Sequence, residues 1–116
     1  MPNVATEPVL TLDVEQVGTQ ATVRCHGRLV SGVDGILYAK VKQLIPGSKR
    51  IVLDLSELKH MDSMGLGALV RLYVSCKSAG CELVLINLAP QIRRLLGLTD
   101  LLKVFTVIGE NGIKMM

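Results

Sequence analysis

The chain of 116 residues has few of the aromatic side chains that stack on nucleic-acid bases. It contains no tryptophan, one phenylalanine and two tyrosines. Its net charge of +3 is spread along the sequence, and the densest basic pairs are Lys49-Arg50 and Arg93-Arg94. Nucleic-acid interfaces usually concentrate such charge on one face. We therefore interpret the charge as a solvated surface and expect no direct binding of nucleic acid.

Long apolar runs are also missing. No run approaches the roughly 20 apolar residues that a membrane-spanning helix needs. The first ten residues, MPNVATEPVL, lack the basic start and apolar core of a signal peptide. The sequence therefore predicts a cytoplasmic protein without membrane insertion.

The three cysteines do not form a recognisable metal or disulfide pattern. Cys25, Cys76 and Cys81 lie inside apolar patterns, and none belongs to a Cys-x-x-Cys pair. The two histidines, His26 and His60, are poorly spaced to complete a zinc site. We expect reduced, packed thiols, and we predict no metal ion and no cofactor.

Aliphatic residues dominate what is present. The chain is 49% hydrophobic, which predicts one domain with a core of Leu, Val and Ile. Alternating apolar and polar residues predict a hairpin of two half-exposed strands, at about 9–15 and 21–26. Residues 1–8 and 109–116 have no clear pattern, and we expect loosely ordered termini around a domain at 9–108.

Apolar residues recur at helical spacing in three segments. Ser31 and Asp34 form a variant of the capping box, and the pattern after them continues to about residue 45. A second helix is predicted at 63–79, where Gly80 ends it, and a short third one at 90–97.

Continuous apolar runs separate these helices. Residues 50–55 and 81–87 are typical of strands covered on both faces. Residues 56–61 are expected to form a loop, and residues 104–108 are expected to form a last, edge strand. Strand–helix–strand units thus occur twice in succession. The sequence predicts an α/β fold, with a mixed, mostly parallel sheet, an N-terminal hairpin and packed helices.

The start of the second helix is the stretch of functional interest, with the sequence DSMGLG at residues 62–67. Either Asp62 or Ser63 is expected to cap the helix. Two glycines in the first turn leave the helix start bare, so that another surface can approach. Exposed amides at a helix start favour negative charge, so a phosphate on Ser63 would be stabilised there. The glycines match neither a Walker loop nor a dinucleotide loop, because the required lysine and third glycine are absent.

A nucleophilic role for Ser63 is a rival hypothesis. His60 is the nearest candidate base, but Met61 stands at the first glycine position of a Gly-x-Ser-x-Gly elbow. We therefore predict no enzyme activity and keep a small hydrolase as an alternative. Asp54, at the end of a core strand, is expected to fix the following loop rather than to bind a metal or accept a phosphate.

These residues also carry a family signature. The runs IVLDLS at 51–56 and MDSMGLG at 61–67 closely resemble the STAS domain of bacterial anti-sigma factor antagonists. The segment at 27–29, Gly-Arg-Leu, is similar to the Gly-x-Leu that follows the second strand in that family. The likeness extends over about residues 9–108.

The resemblance implies a partner-switching regulator of transcription. It implies that the unmodified protein binds an anti-sigma factor that is also a serine kinase, that this kinase phosphorylates Ser63, and that a phosphatase reverses the modification. The partner-binding face that it implies comprises Val30, Asp62, Ser63, Met64, Gly65, Leu66 and Gly67. An alternative within the same fold is a STAS subunit of a lipid or anion transport complex, bound to its ATPase subunit.

Overall fold

The structure, a computed structural model, describes residues 9–98, 106–108 and 114–115, with side chains at residues 9–97. Within these residues, six strands form a single sheet that is packed with three α-helices. The strands are β1 (Leu10–Val17), β2 (Gln20–Leu29), β3 (Arg50–Met61), β4 (Glu82–Ile86), β5 (Thr106–Ile108) and β6 (Lys114–Met115). The helices are α1 (Asp34–Leu44), α2 (Ser63–Ser78) and α3 (Pro90–Leu98), and a 3-10 turn, Ile45–Gly47, follows α1.

The strands lie side by side in the order of the chain, from β1 to β6. β1 and β2 form the antiparallel hairpin, and β2, β3, β4 and β5 are parallel to one another. The predicted mixed, mostly parallel sheet is therefore confirmed. The predicted edge strand at 104–108 corresponds to β5, but β6 pairs beyond it in antiparallel register. Residues 104 and 105 lie outside the described part of the chain.

The helices share one face of the sheet because each parallel connection moves one strand in the same direction. Right-handed crossovers that advance in one direction place their helices on the same side. α1 packs against α2, and α3 packs against β3. The aliphatic core fills the space between the helices and this face of the sheet. Its largest fully buried side chains include Leu37, Ile51, Leu53, Leu69, Leu72, Leu85 and Ile92.

The predicted loop at 56–61 is wrong, because β3 continues through these residues to Met61. Two register shifts against β2 each place one extra residue in β3. Such bulges change the local spacing of buried side chains. Leu55, Leu58 and Met61 are therefore buried at every third residue, a period that matches neither a regular strand nor a helix.

The predicted capping box at the start of α1 is also wrong. This helix begins at Asp34, and none of the described side chains caps it. Instead, the amides of Val33 and Asp34 donate to the Val30 carbonyl oxygen, each at 3.1 Å. The Val30 carbonyl oxygen thus accepts the hydrogen bond from the Asp34 amide that the Ser31 side chain was predicted to accept. The Ser31 side chain is therefore not needed as a cap.

The three cysteines are buried and free, as predicted. Burial raises the pKa of Cys25 and of Cys76 to about 12, so both remain protonated at neutral pH. Among the described residues, no group of three histidine, cysteine or acidic side chains is arranged to hold a metal ion. Over the same residues, none of the helices has the length and apolar character needed to cross a membrane.

Candidate functional site

Asp62, rather than Ser63, caps α2. Its backbone is extended, with φ −106° and ψ −171°, and its Oδ1 accepts hydrogen bonds from the amides of Met64 at 2.9 Å and Gly65 at 3.1 Å. The Asp62 carbonyl oxygen also accepts the first helical hydrogen bond, from Leu66 at 3.0 Å. Ser63 is consequently the first residue of the helix, and of the two candidates for the cap the structure has Asp62.

The second carboxylate oxygen of Asp62 reaches across to the loop between β2 and α1. Its Oδ2 accepts a hydrogen bond from the Ser31 amide at 2.9 Å. The pKa of Asp62 is lowered, first by this hydrogen bond, then by the amides of Gly65 and Met64 and by the nearby charge of His60. Asp62 therefore carries a negative charge at neutral pH and does not serve as a proton donor.

Ser63 is exposed at the helix start. Within the part of the chain that the structure describes, its hydroxyl has no hydrogen-bond partner. Because Asp62 supplies the cap, the Ser63 hydroxyl can be modified without removing a hydrogen bond that holds the helix. The amides of the first turn and the helix dipole favour a negative group at this end.

The two glycines of the first turns have different structural roles. Gly65 is buried, and a Cβ atom there would overlap the Leu29 carbonyl oxygen and lie 2.9 Å from Met61 Cγ. Its missing side chain lets α2 lie directly on the end of β2. Within 4 Å, a Cβ on Gly67 would meet a single atom of the described residues, Arg71 Nη1 at 3.7 Å. Gly67 is therefore the glycine that leaves the outer face of the helix bare.

The other residues of the predicted binding face are close to this helix start. Met64 is 45% exposed, and Leu66 is half-buried against the core. Val30 is half-buried in the neighbouring loop, directly before Ser31. The structure thus brings Val30, Asp62, Ser63 and Met64 together, whereas Gly65 lies beneath them.

A contact between α1 and α2 was not predicted from the sequence. Arg71 Nη2 lies 3.4 Å from Asp34 Oδ2, and its guanidinium stacks over the Tyr38 ring, 5.2 Å from the centroid. Arg71 follows Ser63 and Gly67 at intervals of four residues, so all three lie along the same side of the helix. This spacing is the only sequence signal that could have drawn attention to Arg71.

Asp54 lies on the sheet face opposite the helices, where it joins β2, its own strand β3 and the end of β4. Its Oδ1 accepts from the Ser56 amide at 3.0 Å and from Asn87 Nδ2 at 3.2 Å, and its Oδ2 accepts from Arg24 Nε at 3.1 Å. Burial alone would raise its pKa, but hydrogen bonds from Ser56, Asn87 and Arg24 outweigh this effect, and the pKa of Asp54 is lowered. Asp54 therefore does not fix a following loop, because β3 continues there; it ties β2 and β3 to the end of β4.

The proposed base and nucleophile are not assembled. His60 is an exposed residue of β3. In the described residues, its ring makes no hydrogen bond with the Ser63 hydroxyl. Its clearest effect on the site is electrostatic, because its charge lowers the pKa of Asp62.

The fold and the site together define a small α/β domain that presents one capped helix start at its surface. The sequence model of the STAS domain family matches residues 11–111. The chain belongs to the STAS domain family.

Known proteins with similar sequences or folds agree with this assignment. The chain is 39% identical over 89 residues to the anti-sigma-B factor antagonist of Listeria monocytogenes, which corresponds to 69% of this chain and 78% of that protein. An anti-sigma factor antagonist from Mycobacterium paratuberculosis has the same fold, with a TM-score of 0.75 and 23% identity over 84% of each chain. The Bacillus cell fate determinant SpoIIAA in its phosphorylated form has a TM-score of 0.69 and 19% identity over 87% of this chain and 94% of that one.

Proposed function

We propose that this protein is an anti-sigma factor antagonist that acts by partner switching. In its unphosphorylated form it binds an anti-sigma factor that is also a serine kinase, and phosphorylation of Ser63 releases it. The single observation that carries this proposal is the division of roles at the start of α2. Asp62 holds the helix, and Ser63 presents an exposed hydroxyl that makes no hydrogen bond within the described residues.

The relatives support this function over that of a transporter subunit. The relative with 39% identity is named an anti-sigma-B factor antagonist. The proposed partners are therefore an anti-sigma factor with serine kinase activity and a phosphatase that removes the phosphate. We place the activity in the domain at residues 9–108 and in the cytoplasm, where sigma factors act. The protein itself would bind and release its partner and would catalyse no reaction.

The physical basis of switching is a change in the surface, without a change in the fold. A phosphate adds about −1.5 to −2 charges next to the exposed side chain of Met64. A partner surface that fits a hydroxyl and an apolar side chain would have to bury this charge without pairing it. Burying an unpaired charge costs several kcal/mol, which is sufficient to abolish binding of micromolar affinity.

The first test is to follow Ser63 in the protein's own cells. Intact-protein and peptide mass spectrometry of the purified chain, from growing and from stressed cells, should locate one added phosphate on Ser63. The fraction modified should change with the condition. A chain that stays unmodified under every condition, with the phosphatase inactivated, would contradict the switching mechanism.

The second test measures binding to the anti-sigma factor by calorimetry. Ser63→Asp should weaken the affinity by at least about 100-fold, because a charge is introduced into the contact, whereas Ser63→Ala should bind nearly as tightly as the wild type. Ser78→Asp is the matched control, because Ser78 is also exposed on α2 but lies at the opposite end. Equal affinities for Ser63→Asp and Ser63→Ala would favour constitutive binding, as in a transport-complex subunit.

A further inference from the structure

We propose that Arg71 is the internal counter-ion of a phosphate on Ser63, and that Asp34 and Tyr38 hold this arginine in place in the unmodified protein. The inference rests on the proposed phosphorylation of Ser63. It adds Arg71, which lies two turns after Ser63 on α2, to the residues of the switch. It also connects the switch to α1.

The position of Arg71 along α2 places its charge toward Ser63. Side chains of a helix tilt toward its N-terminus and cover the residue one turn earlier. Arg71 follows this rule, because its Nη1 lies 3.7 Å from the position that a Cβ on Gly67 would occupy. The guanidinium is therefore already one turn nearer to Ser63 than the Cα of Arg71 is.

Gly67 leaves the space between the two groups open. Residues four apart on a helix have Cβ atoms about 5–6 Å from each other, so one such step separates the Gly67 position from Ser63. Because Gly67 has no side chain, it does not fill the space between Arg71 and Ser63. The Ser63 side chain also tilts toward the helix start, so it is the long side chain of Arg71 that would extend over the glycine to reach the phosphate.

The present partners of Arg71 are weak enough to be exchanged. The side chain of Arg71 is 48% exposed and that of Asp34 is 14% exposed, and a single contact of 3.4 Å joins them. A single contact of this length to a half-exposed arginine is a weak ion pair, which a better acceptor can replace. A phosphate carries more charge than a carboxylate and accepts two parallel hydrogen bonds from a guanidinium. We therefore expect Arg71 to leave Asp34 when Ser63 is phosphorylated, which removes this ion pair from the Asp34 carboxylate on α1.

Other charges around Ser63 act on the phosphate as well. The Asp62 carboxylate is adjacent and disfavours a second negative charge, whereas His60, when protonated, favours it. Both remain in every variant described below, so they cancel when variants are compared. The comparison thus isolates the contribution of Arg71.

The test is a phosphorus NMR titration of the full chain with phosphoserine incorporated at position 63 during synthesis. The second pKa of phosphoserine is about 6. We expect it to be higher in Arg71→Gln than in the otherwise wild-type phosphoprotein by about 0.2–0.7 unit, because the dianion loses its cation. Arg71→Lys should restore part of the difference. The resonance of the Arg71 Nε–H should also shift between the unmodified and the phosphorylated chain.

Lys42→Gln is the matched control. Lys42 also lies over the Tyr38 ring, 5.9 Å from the centroid, but it belongs to α1. Lys42 borders a cleft with Ser75 and Ser78, near the end of α2 opposite to Ser63. Its substitution should therefore leave the phosphoserine pKa within about 0.1 unit of the starting value, since its charge is distant from the phosphate and is screened. An equal pKa in the Arg71→Gln and otherwise wild-type phosphoproteins, or an equal shift for Lys42→Gln, would overturn the inference.

This titration is independent of the proposed function. The phosphate is incorporated directly, so the result does not depend on a kinase, an anti-sigma factor or modification in cells. Absence of phosphate in cells would remove the biological role and leave the pKa difference intact. Conversely, an unchanged pKa would remove the role of Arg71 and leave the partner switch intact.

Discussion

The Ser31 amide donates a hydrogen bond to the Asp62 carboxylate at 2.9 Å. This bond ties the loop that follows β2 to the first turn of α2, across 31 positions of sequence. Asp62 also donates its amide to the Leu29 carbonyl oxygen, so Val30, between Leu29 and Ser31, lies close to the start of α2. One ionised side chain thus both caps the helix and joins the two segments of the proposed binding face.

We predict that Asp62→Ala frees both segments locally. The amides of Ser31, Met64 and Gly65 each lose their acceptor, so their hydrogen exchange should become about tenfold faster or more, measured residue by residue by NMR. Asp13→Ala is the control, because Asp13 is an exposed carboxylate paired with His26 on another part of the surface. Unchanged exchange of the Ser31 amide would show that the loop is held by other contacts.

The two glycines of α2 are expected to respond to alanine in opposite directions. Gly65→Ala should lower the free energy of unfolding by about 1–3 kcal/mol, because the new Cβ overlaps the Leu29 carbonyl oxygen. Gly67→Ala should raise it by up to about 1 kcal/mol, because alanine is the better helix former and finds space there. Urea denaturation measures both variants. A Gly65→Ala protein as stable as the wild type would show that the contact of α2 with β2 is loose.

Asp54 should make stability depend on pH in the acid range. Its pKa in the folded protein is lowered from the ordinary value of 3.8, so its contribution is complete well above that value and disappears as the pH falls through the folded pKa. At pH 7, Asp54→Asn should lower the free energy of unfolding by about 1–3 kcal/mol, since charge-assisted hydrogen bonds are lost. The difference between wild type and variant should narrow below about pH 4 in urea denaturation curves.

The conservative substitution Asp13→Asn provides the comparison for Asp54. Asp13 has a side chain that is 74% exposed. Its replacement should change stability by less than about 0.5 kcal/mol, as is usual for surface positions. A difference between the wild type and Asp54→Asn that stays constant from pH 7 to pH 3 would contradict the role assigned to Asp54.

Negative charge at position 63 should leave the fold intact. In Ser63→Asp the favourable helix dipole, about 0.3–1 kcal/mol, is opposed by the neighbouring charge of Asp62, so the net change in the free energy of unfolding should stay below about 1 kcal/mol. Ser78→Asp, at the opposite end of α2, should lower the free energy of unfolding by about 0.3–1 kcal/mol, because the helix dipole disfavours an anion at that end. Thermal denaturation at low and at high salt measures both. Marked destabilisation by Ser63→Asp would mean that the switch involves unfolding.

Helices and strands that are determined by residues close together in the sequence were predictable. Helical spacing after Asp62 and the stop at Gly80 predicted residues 63–79, and the structure has α2 at Ser63–Ser78. Gly80 adopts φ +71°, the left-handed conformation expected just after a helix. The hairpin and the apolar strand β4 were likewise predicted from local alternation and local apolar runs. These features depend on interactions within a few residues, which a periodic pattern records directly.

What only the tertiary structure decided are the contacts between distant segments. Two bulges against β2 break the regular alternation of β3, so that its second half does not have the sequence pattern of a strand. The hydrogen bond between the Ser31 amide and the cap residue Asp62 is likewise a contact between distant segments. The burial of Gly65 under Leu29 and the stacking of Arg71 on Tyr38 also arise from packing between elements. Hydrogen bonds and packing across 30 or more positions leave no periodic signal in the sequence, because either partner alone is compatible with many neighbours.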